Sequence, residues 1–189
     1  METQLENMDK SHAILEEYNP EWEVKFEEEA KKIKDLLGDR IISIEHIGST
    51  SIPGTTSKPI IDMAVLISSY KDADAVAKSL SELGYPFDID EHNKTESHER
   101  HLLRKGNPTE YHLSIAYADK ASFLERQILF RDYLREHEEA VEEYNNLKKE
   151  LIKKDPTGKN GYIGSKTDFV MSILKKAGFE NEHFDLSKY

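Results

Sequence analysis

The sequence predicts an α/β (α+β) fold: a mixed β-sheet of about four or five strands flanked by helices, with a helical C-terminal half. Three observations carry this. Apolar, β-branched runs at 41–44 and 60–67 flank a turn of small residues. A pair of extended segments follows near 99–117 and reads as a hairpin. From about residue 121 the apolar residues recur at helical spacing. A length of 189 residues suits one domain with a full core. Residues 1–11 read as a flexible N-terminal segment and 12–189 as that single domain.

Taken in order, Asn19-Pro20-Glu21-Trp22 is a helix start, with a capping Asn, Pro at the first helical position and acids behind it. Trp22, Phe26, Ala30, Ile33 and Leu37 share one face, and Gly38 stops the run; Glu27, Glu28 and Glu29 are expected to be solvated. Lys71 to Leu83 is a helix with Ala73, Val76, Ala77 and Leu80 inward and Gly84 as its stop. Residues 90–99 read as a polar loop. Tyr111, Leu113 and Ile115 alternate with His112 and Ser114, so the two sets face opposite sides of a strand. One helix carries Phe123, Ile128, Leu129 and Leu134, a second carries Ala140, Tyr144, Leu147 and Leu151, and they part near His137. Asp155-Pro156-Thr157-Gly158 breaks the pattern before a last helix from about Gly164 to Ala177.

Composition narrows the function classes. There is no Cys, which removes disulfides and thiolate metal sites and suits a cytoplasmic protein. His92, His98 and His101 crowd one polar stretch, but no Cys joins them as a structural zinc site would want. No apolar run approaches the roughly 20 residues that span a bilayer, and METQLENMDKSH has no signal-peptide core. A net charge of −11 argues against general nucleic-acid binding and leaves room for a local basic pocket. A phosphorylated small molecule is a partner such a pocket would suit, and no membrane partner is expected.

The chemistry concentrates between Ile44 and Val65. Gly48-Ser49-Thr50-Ser51 offers a close backbone approach and hydroxyl donors to a phosphate, although Ser and Thr there equally suit a helix N-cap. Asp62 interrupts an apolar strand, where a carboxylate is costly unless paired or bound to a metal. Ala64 stands two residues on, so no D-x-D pair exists. His112 is a candidate metal ligand or proton shuttle, or a structural hydrogen-bonded His. Arg100, Arg104 and Lys105 form a basic cluster that suits an anion or a solvated strand face. Arg131 and Lys148 lie on helices, each able to reach a pocket or pair with a nearby Glu; Lys166 opens the last helix.

The motifs EHIGSTSIPG at 45–54 and KPIIDMAV at 58–65 resemble the GrpB-type (UPF0157) family. The resemblance continues through Tyr18–Trp22, the strand Tyr111–Ile115, Phe130–Arg135, Ala140, Tyr144, Leu147, Lys148, Tyr162 and Lys166, in order. It implies a nucleotidyltransferase-like fold in which Gly48 and Ser49 form the phosphate turn and Asp62 is the first Mg²⁺ carboxylate. Gly48, Ser49 and Thr50 would then hold phosphate and Lys58 and Arg104 would neutralise it. Asp62 and His112 would be the catalytic and metal residues, and Arg131 and Lys166 would orient the acceptor. The chain departs from the pattern at Ala64, where a second carboxylate is expected, and at Ser114, where the family strand has a second His. The implied activity is metal-dependent nucleotidyl transfer from a nucleoside triphosphate to a small molecule, or non-catalytic anion binding at a degenerate site.

Overall fold

A computed structural model describes residues 15–87, 99–120, 123–155 and 166–179. The expectations placed on the N-terminal 11 residues, on the loop with His92 and His98, on Pro156–Gly158 and on Tyr162 fall outside them.

The first helix, α1, is Glu21–Leu37, and Asn19 accepts from the Glu21 N–H at 3.0 Å. Strands β1 (Ser43–Ile47) and β2 (Ile61–Ile67) flank the small-residue turn. Helix α2 is Ala73–Leu80, extended at each end by a 3₁₀ turn and stopped by left-handed Gly84. Strands β3 (Arg100–Lys105) and β4 (Tyr111–Tyr117) form the hairpin. Helices α3 (Phe123–Glu136) and α4 (Glu138–Lys154) part at His137, as the spacing predicts, and α5 is Thr167–Lys176.

The sheet order is β1-β2-β4-β3. β1 runs antiparallel to β2, β2 parallel to β4, and β4 antiparallel to β3. Alternation then sorts the side chains onto two faces. Met63, Val65, Leu113, Ile115 and Leu103 pack with Trp22, Phe26, Ile33 and Leu37 of α1 and Val76, Ala77 and Leu80 of α2. Burying each large side chain of this kind is worth about 1.5–3 kcal/mol. The opposite face is covered in part by α3, where Phe123 and Leu124 meet Ile47, Ala64 and Ala116. A further core joins α3, α4 and α5 around Phe130, Leu134, Tyr144 and Ile173, and Ile52 of the turn plugs into it.

The solvated reading of Glu29 needs correction: it is 1% exposed. It sits three residues after Phe26 and four before Ile33, on the buried stripe itself. Its carboxylate is met by Lys105 Nζ at 2.6 Å, Lys32 Nζ at 3.1 Å and the Tyr85 hydroxyl at 3.1 Å. Burial pushes its pKa up, but those three donors together outweigh burial and hold it below the usual carboxylate range. The basic cluster of the hairpin is likewise divided by alternation. Arg104 points with His112, while Lys105 crosses to Glu29.

Candidate functional site

On the half-covered face, Ile47, Asp62, His112 and Arg104 stand side by side across the four strands. Cross-strand neighbours of this kind are within side-chain reach. Asp62 Oδ1 lies 3.0 Å from His112 Nδ1, and the two side chains keep 38% and 29% of their exposure. The buried Asp anticipated from sequence is thus paired and half-solvated. Its bond places the proton of a neutral imidazole on Nδ1 and leaves Nε2 for proton transfer. Arg104 is exposed beside them.

The turn is built against this pair. Gly48 has φ +69°, and a Cβ there would stand 2.5 Å from Asp62 Oδ2 and 2.8 Å from Asp62 Cβ. Only glycine fits, on both conformational and steric grounds. Ser49–Ser51 then make a 3₁₀ turn, not the start of an α-helix, so the N-cap alternative does not hold. Ser51 Oγ donates to Gly48 O at 2.6 Å and Thr55 Oγ1 to Ser49 O at 2.6 Å. Thr50 is buried; its hydroxyl meets His46 Nε2 at 3.1 Å, and His46 reaches Glu23 and stacks on Phe26. Burial holds His46 below its usual pKa despite the pull of Glu23.

The helical half grips the turn by its carbonyls. Arg131 donates to His46 O at 2.9 Å and to Glu45 at 3.0 Å. Arg135 donates to Ser51 O twice, at 3.0 and 2.7 Å. Asn145 donates to Gly54 O and accepts from the Thr56 N–H, both at 2.8 Å. Lys148 donates to Thr56 O. These groups fix a segment whose own regular structure is one short 3₁₀ turn, which is what a preorganised loop needs.

Behind the turn lies an aromatic and cationic floor. Ser49 Oγ donates to the buried Tyr144 hydroxyl at 3.3 Å. Tyr144 stacks on Phe169, with ring centroids 5.2 Å apart, and Lys148 Nζ lies 4.1 Å from the Tyr144 centroid. Lys148 is 1% exposed; burial, then the charges of Lys166 and Lys149, push its pKa down to about 7. Lys166 is pushed down to about 8 by burial, with Asp62 opposing and Lys58 adding to the shift. Lys58, Lys166, Lys148 and Asp62 therefore form one electrostatic neighbourhood.

Of the residues singled out from sequence, Gly48, Ser49, Asp62, His112, Lys58 and Lys166 gather at one place. Thr50 faces inward to His46, and Arg131 binds Glu45, Asp132 and His46 O, so both support the turn. Tyr144, Arg135 and Asn145 received no site role from sequence; Tyr144 alone of the three carries a signal, a polar atom on the inward stripe of an amphipathic helix.

The donor set bears on a divalent cation. Mg²⁺ is commonly held by one or two carboxylates together with substrate phosphates. Asp62 supplies one. Glu45, beside Ala64 on the neighbouring strand, is tied to Arg131. Among the described residues no three His, Asp or Glu are grouped for a metal. Asp62 alone fits Mg²⁺; an imidazole nitrogen is a poor Mg²⁺ ligand, so His112 fits a proton-handling role better than a Mg²⁺ one.

Comparison with known proteins agrees with this architecture. The family described as GrpB protein matches residues 12–176. The chain is similar to a UPF0157 protein of Halalkalibacterium halodurans, 32% identical over 163 residues, covering 86% of this chain and 81% of that one. A crystal structure of the conserved protein GrpB from Enterococcus faecalis superposes with a TM-score of 0.77 at 34% identity, covering 87% of this chain and 96% of that one. A dephospho-CoA kinase of Mycolicibacterium paratuberculosis matches at 23% identity over 183 residues; the chain spans 84% of its own length but 44% of the kinase. No helix among the described residues is long and apolar enough to cross a membrane.

Proposed function

The chain belongs to the GrpB family, and from that premise we propose that it binds a nucleotide or similar phosphorylated small molecule at the Gly48–Ser51 turn and transfers a nucleotidyl or phosphoryl group to a small acceptor. One observation carries the proposal. A glycine turn packed against the Asp62–His112 pair sits among Lys58, Lys148 and Lys166, a positive neighbourhood in a chain of net charge −11. The distant likeness to a dephospho-CoA kinase supports a nucleotide-type ligand.

Each residue then has a task. The Gly48 backbone and the Ser49 hydroxyl receive the phosphate, and Lys58 and Lys166 offset its charge. His112, oriented by Asp62, takes the proton of the acceptor hydroxyl on Nε2 as that oxygen bonds to phosphorus and the P–O bond to the leaving group breaks, releasing pyrophosphate in nucleotidyl transfer or the nucleoside diphosphate in phosphoryl transfer. Asp62, together with the ligand's own phosphates, would hold Mg²⁺, which would supply charge neutralisation at the phosphate. Arg131, Arg135 and Asn145 keep the turn in register. A second reading, binding without chemistry, is favoured by Ala64 and by the commitment of Glu45 to Arg131.

The test follows each nucleoside triphosphate with Mg²⁺ and a mixture of hydroxyl and amine acceptors by phosphorus NMR. A product that vanishes in Ser49→Ala and Asp62→Ala supports transfer. Saturable binding with no product supports the second reading. Turnover that survives unchanged in Asp62→Ala contradicts the assignment.

A further inference from the structure

Two buried charges of opposite sign can be compared. Glu29, on the α1 side, has three donors including two ammonium groups. Lys148 is as deeply buried, yet among the described residues the groups that face it hold no anion. From the loop after the turn comes the Thr56 carbonyl, from α5 the like charge of Lys166, and from its own helix the Tyr144 ring and Lys149. A lone ammonium in such a place costs several kcal/mol. A structural bond to a carbonyl does not require that cost. Asn145, one turn earlier on the same helix, fastens the same loop with a neutral amide, at Gly54 O and Thr56 N. Lys148 is also joined to the turn, since Tyr144 touches its Nζ through the ring and Ser49 through the hydroxyl.

We propose that the missing counter-charge of Lys148 is the ligand: a phosphate dianion at the Gly48–Ser51 turn lies over the Tyr144–Lys148 floor, and its binding draws one proton from solvent onto the Lys148 amine. The inference rests on the phosphate reading of the turn and deepens it. It makes phosphate affinity proton-coupled, and it gives the site a fixed protein cation beneath the anion that needs no metal. The depressed basicity of Lys148 is what leaves the amine able to accept that proton near neutrality. Balance is simple: the amine nitrogen forms one N–H bond, the buffer acid loses one proton, and no covalent bond of the ligand changes.

The experiment is calorimetric titration of the full chain with ATP in the presence of EDTA, in buffers of differing ionisation enthalpy. The slope of observed heat against buffer enthalpy counts protons taken up. At about pH 8, where an amine titrating near neutrality is mostly unprotonated, net uptake is expected, and at about pH 6 it disappears. In Lys148→Met the uptake at about pH 8 falls by roughly half or more, and ATP affinity falls about tenfold, as for loss of a charged partner. Lys31→Met, an exposed lysine of α1 on the far side of the sheet, leaves both unchanged. ATP binding with no uptake in the unmodified protein at about pH 8 overturns the inference without any variant, and so does uptake that is undiminished in Lys148→Met. Failure of ATP and inorganic pyrophosphate alike to bind overturns the phosphate reading as well.

Discussion

The two faces of the sheet treat polarity differently. The α1–α2 face is dry, and its buried carboxylate, Glu29, is matched by Lys105, Lys32 and Tyr85. The other face carries a half-exposed Asp–His pair, an exposed Arg104 and a glycine turn, and behind that turn stands a buried Lys148 with no carboxylate bonded to it among the described residues. The chain can neutralise a buried charge where structure alone is at stake. Leaving one unmatched where a ligand-type turn also stands is the pattern expected of a binding site, where local agreement yields to function.

The largest expected break in this contrast is Gly48→Ala. Its Cβ would overlap Asp62 and its φ would be strained by about 1–3 kcal/mol. Loss of ligand binding, with unfolding free energy reduced by about 2 kcal/mol or more in a denaturant titration, is the outcome. Next, Glu29→Ala strips the dry face of its acceptor and lowers stability by about 2 kcal/mol, discounted because Lys105 and Lys32 can turn to solvent. Ligand affinity in that variant stays as it was, which a dye-monitored melt and a binding titration together would show. Glu29 also sets an acid limit. Its pKa is lower folded than unfolded, so its stabilisation is present above the ordinary carboxylate pKa and is lost as pH falls through the folded value. Glu29→Gln should flatten that acid arm of the stability curve.

Asn145→Ala is a sharper probe of the site face. It removes the bonds to Gly54 O and the Thr56 N–H, costing about 1 kcal/mol of stability while weakening ligand binding, measured by calorimetry, more than any equal loss on the dry face. An effect of the opposite sign belongs to Lys148→Met without ligand. Lys148 is less basic folded than unfolded, so the unfolded chain holds more protons between about pH 7 and pH 10 and stability rises with pH across that window. The variant should rise less steeply there, the depressed Lys166 keeping its own share of the slope, and be more stable near neutrality, in urea titrations run at several pH values.

Much of the dry face was legible in the sequence, because apolar residues at 3.6 and 2.0 spacing leave few ways to pack α1, α2 and the strands. Glu29 escaped because composition, not helical position, placed it with its acidic neighbours. On the other face the residues near Gly48 and Asp62 were legible by type and by resemblance. Their partners were not: the Asp62–His112 bond depends on the register of β2 against β4 across a long crossover. The grip of Arg135, Asn145 and Lys148 on backbone carbonyls also leaves no trace in spacing. A carbonyl has no residue identity to read.

The most direct measurement is calorimetric titration with ATP, GTP, CTP and UTP, with and without Mg²⁺, on the unmodified chain and on Ser49→Ala and Asp62→Ala. The phosphate assignment predicts saturable binding of at least one triphosphate, weakened in Ser49→Ala, and dependent on Asp62 wherever Mg²⁺ strengthens it. Absence of binding to all four, or affinity indifferent to both substitutions, would contradict it.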